Sequence, residues 1–317
     1  MDLISYYYFT ELAKDLNMSR TAERIFVSQQ TISNHIQRLE EFYGTPLFHR
    51  KPRLSLTYAG ETVLRFADNL NREHGNLKDM LMDIEKLDRG VLRFGFSPMR
   101  ASITLPHILP TFSERYPNVK LEITSGFTAD LESRVIDGTL DFAAVLKQEN
   151  DPILYSHRLM RDTLYLCVRE ELLERCCPDP EAFREKAKQG VEVKDIAQFP
   201  ISLNENRMGD VILGAFREKG LEPNLYIKCT DSQLSFRFGC EGLVAFFAYH
   251  SWLLGEQERI PADMRLFPYK YHGTVSQQTL SLIWRKDRYL PSYGLYFSDL
   301  LHAYYNRIES MQPVRAE

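Results

Sequence analysis

The sequence has few cysteines and no arrangement of them that suggests a disulfide framework. Five are present in 317 residues: Cys167, Cys176, Cys177, Cys229 and Cys240. None forms a Cys-x-x-Cys pair, and adjacent cysteines such as Cys176 and Cys177 are poor geometric partners. The eight histidines lack zinc-like spacing, so neither a metal nor a cofactor is expected. Reduced, mostly structural thiols in the cytoplasm are the expectation. No run approaches the 18 or so apolar residues that span a bilayer, so no membrane partner is expected. The opening MDLISYYYF shows neither a basic leader nor an apolar stretch of signal length. The Gly-x-Ser-x-Gly elbow, the phosphate-loop lysine motif and the dinucleotide glycine fingerprint are all missing, which argues against an enzyme. Cys240-Glu241-Gly242 superficially suggests a nucleophile, but it precedes an apolar run and reads as a turn. Charge of one sign is also lacking. The net charge is −4, with 26% charged and 44% hydrophobic residues. That composition supports a sizeable core. It argues against a protein that coats nucleic acid along its whole length, while leaving a local basic site open.

What is present divides along the chain. Residues 2–16 read as a helix, with Leu3, Tyr7, Phe9, Leu12, Ala13 and Leu16 on one broad face. Ser19 is a candidate N-cap for a short helix carrying Ala22, Ile25 and Phe26. After a junction at Val27, Ser28 is a second candidate N-cap. The next helix runs to about Tyr43 with Ile32, Ile36, Leu39 and Phe42 inward, and Gly44 is a natural stop. Two short helices joined by a tight turn, the second polar outside, form a helix-turn-helix pattern. A basic loop, His49-Arg50-Lys51-Pro52-Arg53, then closes on a short strand near Leu54–Thr57, like a wing. One long helix follows from Tyr58 to about Asp88. Spacing by seven picks out Val63, Leu70, Leu77 and Ile84, with companions Phe66, Glu73, Met80 and Leu87. This spacing reads as a dimerising seam.

Asp88-Arg89-Gly90 marks the expected domain boundary. Strands are expected at Val91–Phe96, Val119–Ile123, Leu140–Leu146, Leu164–Val168, Leu225–Lys228, Leu243–Phe247 and Leu280–Trp284. Helices are expected at Ser102–Tyr116, Ala129–Ile136, Val211–Lys219 and from Tyr293. Such alternation implies an α/β domain with parallel pairing. The charged stretch Glu170–Lys194 reads as helical without a clear place.

The N-terminal residues Ala22-Glu23-Arg24, Ser28-Gln29-Gln30-Thr31-Ile32-Ser33, Ile36, Leu39-Glu40, Gly44-Thr45-Pro46-Leu47-Phe48, Arg50 and Leu56-Thr57-Tyr58-Ala59-Gly60-Glu61 resemble the LysR-type transcriptional regulators in order and spacing. Tyr116-Pro117, Gly138, Leu140-Asp141 and Leu282-Ile283-Trp284-Arg285 extend the likeness more loosely across the chain. Gln30 stands where the family often has proline, the wing is a residue short, and residues 170–195 are longer than usual. The resemblance implies a winged helix-turn-helix over 1–57, a linker helix over 58–89 and an effector domain over 90–317. That last domain would be α/β, similar to periplasmic binding proteins. Its first subdomain would take about 90–160 and 267–317, and its second about 161–266. The implied partners are double-stranded promoter DNA, a small-molecule effector, a second copy or a dimer of dimers, and RNA polymerase.

Within that frame, Gln29, Gln30 and Asn34 have amides suited to adenine edges. Ser28, Thr31, Ser33, Arg38, Arg50, Lys51 and Arg53 complete the expected DNA surface, where hydroxyls and cations suit phosphate oxygens. Ser97-Pro98-Met99-Arg100-Ala101-Ser102 joins a strand to a helix. Ser97, Met99, Arg100 and Ser102 are therefore candidate effector contacts, with helix amides and a guanidinium favouring a carboxylate. Phe127, Thr128, Asn204 and Phe247 are the other expected cleft residues. The competing readings are a transport solute-binding protein, suggested by the α/β half alone, and a non-regulatory architectural DNA-binding protein.

Overall fold

The computed structural model describes residues 2–85, 88–146 and 151–311. The chain divides into two compact units, one of Met1–Leu87 with Arg288–Pro291, the other of Asp88–Asp287 with Ser292–Glu317.

The first unit contains α1 (Leu3–Asp15), α2 (Met18–Arg24), α3 (Gln29–Tyr43), β1 (Phe48–His49), β2 (Ser55–Leu56) and α4 (Tyr58–Ile84). Each helix starts on a side-chain cap: Asp2, Asn17, Ser28 and Thr57 accept from the backbone of Ser5, Arg20, Thr31 and Gly60. Asn17, not Ser19, therefore caps α2. Gly44 ends α3 in the left-handed region, with φ 65°, where glycine has no Cβ penalty. One core gathers Tyr6, Phe9, Leu12, Ala22, Ile32, Ile36, Leu39, Leu47, Phe48, Val63 and Ala67. Two periodicity readings need correction here. Phe9 and Leu12 are buried as read, joined by Tyr6, but Leu3 and Tyr7 on α1 and Leu16 at its C-cap are exposed. Phe42 is 63% exposed. It lies off the row of Ile32, Ile36 and Leu39, which Tyr43 continues by meeting the Tyr6 hydroxyl at 2.7 Å.

Helix α4 is amphipathic in two different ways along its length. Val63 is buried in the unit's own core and Leu70 packs against it. Leu77, Met80, Leu81 and Ile84 are exposed, Ile84 by 75%. The row spaced by seven is therefore split, because its first half covers α1 and the helix-turn-helix. Val63 cannot contribute to a seam between copies. Leu87 lies outside the described residues.

The second unit contains β3 (Arg89–Phe96), α5 (Pro98–Arg115), β4 (Asn118–Ser125), α6 (Thr128–Ile136), β5 (Phe142–Leu146), β6 (Leu154–Arg169), α7 (Glu170–Cys176), α8 (Pro180–Ala187), α9 (Val193–Ile196), β7 (Ile201–Asn204), α10 (Arg207–Glu218), β8 (Leu225–Cys229), α11 (Ser232–Cys240), β9 (Ala245–Tyr249), α12 (His250–Gly255), β10 (Met264–Pro268), β11 (Lys270–Tyr271), β12 (Thr274–Val275), β13 (Gln277–Arg285) and α13 (Ser292–Ser310). Among the described residues the main sheet runs β4-β3-β5-β13-β6-β9-β7-β8, with β10 also on β6. Strands β3, β4 and β5 are parallel, as are β7, β8 and β9. The 16-residue β6 joins the two sets: it pairs with β13 through Thr163 and with β9 from Leu164. The charged stretch 170–196 folds as α7, α8 and α9, whose Leu172, Leu173, Val193 and Ile196 enter the core around β7 and β9. No helix among the described residues is long and apolar enough to cross a membrane.

Candidate DNA-reading helix and effector site

The N-terminal turn of α3 presents a polar surface. The Ser28 hydroxyl accepts from the Thr31 amide at 3.0 Å and meets the Thr31 hydroxyl at 2.8 Å. Gln29 donates to the Ser19 hydroxyl at 2.9 Å, and Gln30 donates to the Asn34 side-chain carbonyl at 2.8 Å. Ser28, Gln29, Gln30, Asn34 and Arg38 are exposed, while Thr31 and Ser33 are half-buried. The amides are thus held in place by weak surface bonds that a base edge can replace. The loop between β1 and β2 exposes Arg50, Lys51 and Arg53. Arg50 is already oriented: its guanidinium donates to Glu40 at 3.0 Å, and the same carboxylate accepts from the Leu47 and Phe48 amides at 2.8 and 3.3 Å. Gly60 lies so close to the Leu47 carbonyl that a Cβ would collide with it. The wing is therefore tied to both α3 and α4. Phe26 does not sit on the inner side of a helix, as its spacing suggests, but in the turn before Ser28. It is 94% exposed and has a left-handed φ of 56°.

In the second unit, Ser97, Phe127 with Thr128, and Asn204 lie at the carboxyl ends of β3, β4 and β7, where α/β sheets bind ligands. Ser97 follows β3 and opens α5 without a side-chain cap bond. Its hydroxyl oxygen is buried with no hydrogen-bond partner. The Gly126 amide donates to the Phe96 carbonyl at 3.1 Å, which brings the start of α6, capped by Phe127, beside Ser97. Phe127 is 76% exposed. Met99 packs against the core below, and Ser102 spends its hydroxyl on the Met99 carbonyl at 2.8 Å.

Arg100 departs from the free guanidinium expected of it. It is buried and already paired. Its side chain is 6% exposed and pairs at 3.1 Å with Asp162, which is fully buried. Asp162 also accepts from the Ser251 amide at 2.9 Å and the Ser251 hydroxyl at 2.6 Å. The guanidinium lies over the Tyr249 ring at 5.7 Å, and its Nε has no partner. The hydroxyl of Tyr249 is held well above the usual phenol range by burial, which the Arg100 charge partly offsets.

Two further residues are already committed. Asn204 is buried, donates to Ser232 at 3.0 Å and accepts from Ser235 at 2.8 Å. Phe247 is 1% exposed and packs on Tyr269 at 5.3 Å between centroids. It is a core residue, because alternation along β9 sends Phe246 to one side of the sheet and Phe247 to the other. The sequence reading missed Asp162, Tyr249 and Ser251. None of the three has a local signal, since Asp162 sits between Arg161 and Thr163 in a stretch that reads as polar surface.

A capped, polar helix beside a basic wing, joined to an α/β unit with orphaned polar atoms at its strand ends, defines a DNA-binding protein with a ligand-binding domain. Family models agree over nearly the whole chain. Residues 4–61 match the bacterial regulatory helix-turn-helix proteins of the lysR family, and residues 85–305 match the LysR substrate binding domain. The chain belongs to the LysR family of transcriptional regulators.

The chain is 30% identical over 300 residues to the uncharacterized HTH-type transcriptional regulator YwbI of Bacillus subtilis, covering 92% of each. It is 36% identical over 153 residues to the HTH-type transcriptional activator IlvY of Salmonella typhimurium, covering 48% of this chain and 52% of IlvY. It is 29% identical over 176 residues to YkuM of Bacillus subtilis, and the match spans 54% of this chain and 60% of YkuM. The fold is similar to a full-length OxyR cysteine variant from Pseudomonas aeruginosa, with TM-score 0.65, 19% identity and 100% and 98% of the two chains covered. It is also similar to full-length CbnR in complex with its target DNA, with TM-score 0.54, 20% identity and 96% and 99% covered.

Proposed function

We propose that this chain binds promoter DNA as a homodimer or dimer of dimers in the cytoplasm, and that a small polar effector in the second unit controls the transcriptional outcome. The observation that carries the DNA reading is the Ser28-capped turn of α3, with Gln29, Gln30 and Asn34 exposed beside the basic wing. Gln29, Gln30 and Asn34 read base edges. Ser28, Thr31, Ser33, Arg38, Lys51 and Arg53 meet phosphates, and Arg50 shares itself between Glu40 and the backbone. Leu77, Ile84 and the exposed Met80 and Leu81 supply the contact between copies, with Leu70 at its margin. The effector sits against Ser97, Arg100, Phe127 and Thr128. RNA polymerase is the further partner at the promoter.

The test is footprinting on the promoters adjoining the protein's own gene, with and without candidate metabolites. A discrete protected site that changes with one metabolite class supports the reading. Uniform protection of all DNA favours an architectural protein, and no protection with tight metabolite binding favours a solute carrier.

A further inference from the structure

Two buried donors lack partners: the Ser97 hydroxyl and the Arg100 Nε. An unmet buried donor is costly, and in a native protein it marks a place for a ligand or a water. Pro98 has no amide hydrogen and the Ala101 amide is bonded to the Ser97 carbonyl, so the Met99 and Arg100 amides are the open donors of the first turn of the 18-residue α5. All of these groups call for an acceptor oxygen.

The charge balance adds a second constraint. Arg100 is the buried cation at this spot, and Asp162 cancels it from 3.1 Å. Asp162 cannot turn away to release that charge, because the Ser251 amide and hydroxyl both hold its carboxylate. It has no exposure to solvent, so its field on a nearby ligand is weakly screened. A ligand carboxylate placed on Arg100 Nε would therefore meet the guanidinium and the Asp162 carboxylate together. An uncharged carbonyl meets the same two donors without that repulsion.

We infer that Asp162 is a positioning residue that sets effector charge: it presents Arg100 as a charge-balanced donor, so that the effector offers an uncharged carbonyl oxygen, as in an amide, to Ser97 and Arg100. This replaces the carboxylate expected from a free guanidinium, and it rests on the reading of this unit as the effector domain.

The probes are matched pairs, butyramide against butyrate and nicotinamide against nicotinate, titrated into the full-length protein by ligand-observed NMR. In the wild type the amide of each pair should bind at least as tightly as the acid. In Asp162→Asn the uncovered guanidinium should invert that order, favouring the acid by about tenfold, while Asp162→Glu should restore the amide preference. A merely structural role for Asp162 would weaken both members alike and leave their ratio unchanged. A wild type that prefers the acids overturns the inference, and that arm needs no variant to fold. An unchanged ratio in a folded Asp162→Asn also overturns it. Binding untouched by Ser97→Ala sinks the effector site itself, and the absence of any binding by all four probes counts against an amide acceptor here.

Discussion

The carboxylate of Glu40 holds Arg50 at 3.0 Å while capping the amides of Leu47 and Phe48. One side chain on α3 thus fixes the start of the wing strand and the first wing cation. The Arg50 side chain is 63% exposed, so the ion pair itself is worth little in solvent. The two amide bonds are less exposed and matter more. Glu40→Ala should destabilise the first unit by about 2 kcal/mol, and Arg50→Ala by well under about 1 kcal/mol. Chemical denaturation followed by circular dichroism compares them, and equal losses would show that the cap bonds are unimportant.

Base reading and phosphate binding should separate on this surface. Gln29 is exposed at the first residue of α3 and held by a single bond to Ser19. Gln29→Ala should cost about 1–3 kcal/mol of discrimination at the cognate site while sparing random DNA. Arg53→Ala should weaken both DNAs alike and reduce the salt slope by about one. Fluorescence anisotropy over a salt series measures both quantities. A Gln29→Ala effect of equal size on both DNAs would remove the base-reading role.

How much of this is legible in the sequence depends on the range of the interaction. Ser28 and Gly44 mark the ends of α3 because capping is local, and the apolar runs of β3 and β5 and the alternation of β4 announce themselves. The first half of β6 does not, since residues such as His157 and Arg158 make it read as polar surface. Its partner β13 lies more than a hundred residues away. Short β7 is hidden for want of length. The state of Arg100 is equally hidden, because it depends on Asp162, and Asp162 in turn depends on Ser251, 89 residues downstream. Phe247 shows the converse error. An aromatic near a strand end suggests a pocket wall, yet a one-residue alternation decides which side it faces.

The two halves of α4 should respond differently to charge. Leu81 and Ile84 are 52% and 75% exposed, whereas Val63 is 9% exposed within the core. Leu81→Asp with Ile84→Asp should leave the melting temperature nearly unchanged but dissociate the oligomer, since a carboxylate is tolerated in water and not at an apolar contact. Val63→Asp should unfold the first unit. Sedimentation velocity separates these cases. A double variant that keeps its wild-type mass would place the contact elsewhere.

Phe26 combines a left-handed backbone with near-complete exposure. A bulky residue there costs roughly 1 kcal/mol, and its ring gains no burial within the chain. Asparagine tolerates this conformation far better. Phe26→Asn should therefore raise the melting temperature of the first unit by a few degrees. A lower melting temperature would show that the ring is packed in the folded protein.

The last prediction concerns acid. His302 on α13 lies beside His157 on β6, with ring centroids 4.2 Å apart, and its Nε2 is buried without a partner. Burial lowers its pKa below the ordinary histidine value, and the neighbouring His157 lowers it further, against a smaller opposing pull from Asp299. The unfolded chain therefore binds a proton at His302 more readily than the folded chain. The neutral ring's contribution to stability is complete above the unfolded value of about 6.5 and is lost as pH falls through the lower folded value. The second unit should melt at progressively lower temperature as pH drops below about 6.5. His302→Gln removes that proton site, so it should flatten this part of the profile while other acid-labile groups keep theirs. Calorimetric melts between neutral and mildly acidic pH measure the difference. Parallel profiles for the two proteins would mean that His302 does not couple folding to protonation.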